Sequence, residues 1–125
     1  MNRRLFLTVL LGLAAPLRTL AAAARPRRIL RLKNGAVEEV PLEDYVAAVL
    51  PPEIGRAPAA ALEAQAVAAR SYAVARAERH LGDGADLCDG THCQVFRGLA
   101  AATEESHRAA AATRGLVLMQ AGRVI

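Results

Sequence analysis

The chain has 125 residues, 54% of them hydrophobic but only 3% aromatic, with two cysteines, no tryptophan and a formal charge of +4. That length holds one domain at most, and the apolar content, mainly alanine and leucine, suits close-packed helices more than a core of large anchors. Lys33 is the only lysine; without Arg3, Arg4 and Arg18 the remainder is close to neutral and its bases alternate with acids, which excludes a nucleic-acid-binding stripe.

Residues 1–24 read as an export signal. Arg3 and Arg4 make a positive start, Leu5 to Leu17 is an apolar run, and Ala21 to Ala24 offers small residues for a signal peptidase. A membrane anchor is the competing reading, but Arg18 interrupts the run short of the roughly 20 apolar residues a spanning helix needs. The order Arg3-Arg4-Leu5-Phe6-Leu7 also resembles a twin-arginine signal, whose pathway exports proteins already folded.

Residues 25–125 read as one α+β domain. Alternation over Ile29 to Lys33, then Asn34-Gly35, then Ala36 to Val40 predicts a β-hairpin with a two-residue turn. Leu42, Tyr45, Val46 and Val49 recur at helical spacing behind Glu43 and Asp44, which predicts a helix over 42–50 that Pro51-Pro52 ends abruptly. Pro58 opens a longer alanine-rich helix to about His80. Gly82 and Gly84 mark a loop, Thr103 caps a third helix over 103–113, and Leu116 to Ile125 reads as a terminal hairpin. Because such a hairpin needs a sheet to join, the end at Ile125 is expected to fall inside a domain.

Three groups of residues are candidates for chemistry. Glu53, flanked by Leu50 and Ile54 beside the proline pair, has the apolar neighbours that raise a carboxyl towards general-acid use, set against an ordinary solvated glutamate. Cys88, His92 and Cys93 share one short loop and can reach a tetrahedral metal, with His80 as a fourth ligand; a Cys88 to Cys93 disulfide is the alternative in an oxidising compartment. Gln65 and Arg70 are unexpected polar residues among alanines, set against a solvated helical face, and Tyr72 reads on its own as a packing residue.

Taken in order, three stretches resemble one family. These are Pro41-Leu42-Glu43-Asp44-Tyr45-Val46 on to Glu53; Ala61-Leu62-Glu63-Ala64-Gln65-Ala66-Val67-Ala68-Ala69-Arg70-Ser71-Tyr72-Ala73; and Asp86-Leu87-Cys88-Asp89-Gly90-Thr91-His92-Cys93-Gln94-Val95-Phe96-Arg97-Gly98. Together they resemble the SpoIID/LytB family, the domain of stage II sporulation protein D and of the amidase enhancer LytB. The resemblance implies an exported, wall-associated protein in the periplasm or outside the cell, acting on peptidoglycan glycan strands. It implies a lytic transglycosylase with Glu53 as acid/base supported by Arg70, with Gln65 and Tyr72 at the substrate. It also implies a structural Zn²⁺ on Cys88, His92 and Cys93, with His80 added. The alternative within the same family is a non-catalytic wall binder that stimulates an N-acetylmuramoyl-L-alanine amidase. The chain departs from the family in having Ile54-Gly55 where a Met and Pro usually follow the glutamate, and in ending before the strands that usually complete the domain.

Overall fold

The computed structural model describes residues 25–125, so the expected export signal over 1–24 lies outside the described residues. Strand β1 (Arg27–Leu30) pairs antiparallel with β2 (Val37–Val40), and helix α1 (Leu42–Ile54) follows directly. Helix α2 (Ala59–Ala75) leads through a 3₁₀ turn at Leu81–Asp83 to the short strand β3 (Leu87–Cys88). A second 3₁₀ turn at Leu99–Ala101, helix α3 (Glu104–Ala112) and the hairpin β4 (Met119–Gln120) and β5 (Arg123–Val124) complete the order. The fold class is α+β, as expected.

Helix α1 is the centre of the molecule. Six consecutive residues, Tyr45, Val46, Ala47, Ala48, Val49 and Leu50, are fully buried, so this helix is enclosed on all sides instead of showing one wet face. Ala66, Ala69 and Ala73 of α2 and Ala109 and Ala110 of α3 pack in the same core, and their small side chains let the helices come close around it. Ile29 of β1, Val40 of β2, Leu87 of β3 and Phe96 close the other side, with the Phe96 ring 5.5 Å from that of Tyr45.

Strand β3 was not legible in the sequence. It lies parallel to β1, Ile29 opposite Leu87 and Leu30 opposite Cys88, making a three-stranded sheet in the order β2-β1-β3. The fully buried side chain of Asp86 fixes this pairing. It accepts the Arg28 backbone N–H at 2.8 Å and lies 3.2 Å from both the Arg25 and Arg28 guanidinium groups. Burial alone would raise its carboxyl pKa, but the hydrogen bonds from Arg28 and Arg25 hold it below the ordinary carboxylate value.

Three boundaries differ from the sequence expectation. The first hairpin has no two-residue turn: the strands stop at Leu30 and Val37, Arg31 N–H donates to the Ala36 carbonyl, and Asn34 Oδ1 accepts the Ala36 N–H inside a longer loop. Pro51-Pro52 does not end α1; the ring's fixed φ is compatible with a helix, and only two N–H donors are lost near its end. The helix continues to Ile54 and stops at Gly55, whose φ of +65° suits glycine. Finally, α2 ends at Ala75, five residues before His80, and Glu78 at φ +71° turns the chain back.

Candidate metal centre and the face around Glu53

The turn after α2 and the loop after β3 converge on one spot. His80 pairs with Ala85 as an isolated β-bridge around the 3₁₀ turn, which returns the chain beside β3 and the His92-Cys93 segment. One donor atom from each of His80, Cys88, His92 and Cys93 lies within 4.8 Å of all the others. His80 Nε2 is 3.2 Å from His92 Nδ1, and that nitrogen is 3.9 Å from Cys88 Sγ and 3.7 Å from Cys93 Sγ. A tetrahedral site with metal–nitrogen bonds of about 2.05 Å and metal–sulfur bonds of about 2.3 Å has edges of about 3.3 Å and about 3.6 Å. The donor set and its spacing therefore fit a four-coordinate metal, and both thiols are free of any disulfide.

Outside the four donors, His80 Nδ1 lies 3.4 Å from Asp83 Oδ2, an orientation that turns Nε2 inwards. Arg79 Nη2 lies 3.1 Å from His92 Nε2, and its Nη1 donates to the Tyr72 hydroxyl at 3.4 Å. Tyr72 in turn donates to the His92 carbonyl at 3.4 Å. Beneath them the Tyr45 hydroxyl donates to the buried Gln94 Oε1 at 3.0 Å. Burial, and then the negative charge that Cys93, Tyr72, Cys88 and Glu53 can carry, push the Tyr45 phenol well above its ordinary value.

Glu53 belongs to the same helix as Tyr45. It sits on the last turn of α1, exposed, eight residues after Tyr45 and along the same i, i+4, i+8 row. Its carboxylate makes no hydrogen bond to another described side chain, and solvent replaces the apolar surroundings expected of it.

Arg70 is elsewhere. Its side chain is fully buried and its fork is taken by Glu43, Nε to Oε1 at 2.9 Å and Nη2 to Oε2 at 2.7 Å. The same guanidinium donates to the Ala110 carbonyl at 3.1 Å, the Leu116 carbonyl at 3.0 Å and the Thr113 hydroxyl at 3.3 Å. One arginine on α2 therefore ties the start of α1 to the end of α3, and it does not contact Glu53. Gln65 is half-buried two turns before Tyr72 on α2 and bonds to none of the cluster residues.

The SpoIID family model, described as Stage II sporulation protein, matches residues 31–120. The chain belongs to the SpoIID family. It is a cell-wall-related protein, and the matched span holds Glu53, Arg70 and all four donors of the cluster. No curated protein matches the chain. Among the described residues no helix is long and apolar enough to cross a membrane.

Several residues of this SpoIID domain's site escaped sequence reasoning. In the sequence Glu43 reads only as favourable charge at a helix start, and the one signal that could find its role is Arg70, a lone arginine among alanines that calls for a carboxylate partner. Arg79 carried no signal, because its role depends on the turn at Glu78. A cleft of about 610 Å³ lies between α1 and α3, lined by Pro51, Gly55, Leu62 and Glu105 among others. Pro51 is two residues from Glu53 on α1, about 200° around the helix, and Glu53 does not line this cleft.

Proposed function

We propose that this protein acts on peptidoglycan as a lytic transglycosylase, with Glu53 as its acid/base and a structural zinc ion held by His80, Cys88, His92 and Cys93. The observation that carries this reading is the four-donor cluster itself, in a chain of the SpoIID family that also presents an exposed carboxylate, Glu53, at the end of its central helix. Cleavage of the MurNAc–GlcNAc bond without water needs only one carboxyl group. Glu53 donates its proton to the glycosidic oxygen as that bond breaks, then takes the proton of the muramyl C6 hydroxyl as its oxygen attacks the anomeric carbon. The product is a 1,6-anhydro sugar, and Glu53 is protonated again for the next turnover.

Zinc bound by four protein ligands has no open position, so its contribution is to shape the loop and not to take part in the reaction. The cluster would hold the 86–98 loop against Tyr72 and Tyr45, and so the floor beside Glu53. Arg70 supports the site by positioning α1 through Glu43.

A second reading has its own support. Glu53 lies in solvent with no cationic partner among the described residues, and Arg70 is already committed to Glu43, which suits a wall-binding module that stimulates an N-acetylmuramoyl-L-alanine amidase without cutting glycan. Mass spectrometry of purified glycan strands incubated with the protein and with its Glu53→Gln variant separates the two. Anhydro-muramyl products that vanish in the variant are expected; intact glycan with both proteins, each shown to be folded, would replace the enzyme with the binder.

A further inference from the structure

The bond between Arg79 and His92 constrains the proton positions of the cluster. A guanidinium only donates, so His92 Nε2 must accept from Arg79. In a neutral ring the His92 proton is then on Nδ1, from which it donates to His80 Nε2, and His80 Nδ1 donates to Asp83 Oδ2. Every bond along Arg79, His92, His80 and Asp83 has one donor and one acceptor.

A metal at the four-donor site occupies His80 Nε2 and His92 Nδ1, the two nitrogens that share that middle proton. The two histidines respond differently. His80 keeps its outer partner, since Nδ1–H still faces a carboxylate. His92, coordinated through Nδ1, carries its N–H on Nε2, and that N–H faces a donor 3.1 Å away. Second-shell partners of metal-bound imidazoles are acceptors, and a guanidinium cannot be one.

We infer that Arg79 and the metal compete for His92, and that metal binding releases the Arg79 guanidinium, beside the Tyr72 hydroxyl, as a binding group for a carboxylate on the substrate. Arg79 is exposed and already within reach of Tyr72 Oη, so a planar fork and a phenol become available together beside the cluster. The carboxylate this pair takes is that of a sugar acid, an identification that rests on the wall-acting reading above; the competition for His92 does not. Because binding free energies are reciprocal, a carboxylate that draws Arg79 away also tightens the metal.

Cobalt(II) provides the test, since its absorption bands report thiolate coordination directly and no glycan cleavage is needed. Cobalt affinity is measured by chelator competition for the wild-type chain, Arg79→Ala, and Arg76→Ala as a control that removes the same charge from an exposed position without a bond to His92. Arg79→Ala is expected to bind cobalt at least about fivefold more tightly than Arg76→Ala. N-acetylmuramic acid, at constant ionic strength, is expected to tighten cobalt binding in the wild type and not in Arg79→Ala, while N-acetylglucosamine, lacking the carboxylate, does neither. Equal cobalt affinities in the two variants, or a sugar-acid effect that survives in Arg79→Ala, would overturn the proposal. Loss of glycan cleavage in Glu53→Gln bears on the enzyme reading alone, so the two can fail separately.

Discussion

The residue with the most consequence for this fold is Arg70, a fully buried cation whose hydrogen bonds reach α1, α3 and the segment after α3. Removing a buried guanidinium leaves a carboxylate, two carbonyls and a hydroxyl without their donor, and breaking such a pair from one side costs about 3–5 kcal/mol. Arg70→Ala is therefore expected to lose that much stability in chemical denaturation. Arg70→Lys keeps the charge but not the fork, and should recover only part of it. Glu43→Gln keeps one acceptor for the fork and should cost less than Arg70→Ala. If Arg70 instead stands free to serve substrate, the alanine variant will keep wild-type stability and lose only activity.

At the scale of elements, the sheet depends on a carboxylate and the loop depends on the sheet. Asp86 joins β3 to β1, and beyond β3 the Asp89 N–H donates to the Leu30 carbonyl while Arg31 lies 5.3 Å over the Phe96 ring. The folded state holds Asp86 below its ordinary pKa, so its stabilisation is complete above the unfolded carboxylate value of about 3.9 and is lost as pH falls through the lower folded value. Thermal stability should therefore drop below about pH 4. In Asp86→Asn that acid limb should be shallower, with the protein already less stable at neutral pH; an unchanged acid limb would remove Asp86 from this role. The same loop holds three of the four cluster donors, so β3 fixes Cys88 before any metal arrives.

Across the whole molecule, two fastenings share no residue. The Arg70 knot and the alanine-packed core hold the three helices, while the four-donor cluster closes the turn after α2 onto the loop after β3. Their separation predicts a partial response to metal removal. Chelation should lower the melting temperature and expose amides over residues 78–96 to hydrogen exchange, while amides in the middle of α1 stay protected. Cys93→Ser should mimic chelation. Unchanged metal content and melting temperature in that variant would mean the cluster does not bind the ion that stabilises the fold.

Much of this was written locally in the chain. The helices follow from apolar spacing, Thr103 caps α3 as expected, with Ser106 closing a box that the structure adds, and the cluster residues stand close together in sequence except His80. Nearest-neighbour chemistry is enough for such features, because their partners lie within a few residues. Where α1 stops, where α2 stops and which face each polar group meets were decided otherwise. Pro51-Pro52 fits inside a helix whose surroundings hold it, and Arg70 reads as solvated until α1 and α3 close over it with Glu43. His80 meets His92 only after Glu78 reverses the chain, and Arg79 reaches His92 by the same reversal. These contacts join residues 12 to 46 positions apart, and only packing, which trades water for protein partners at each buried charge, could select them.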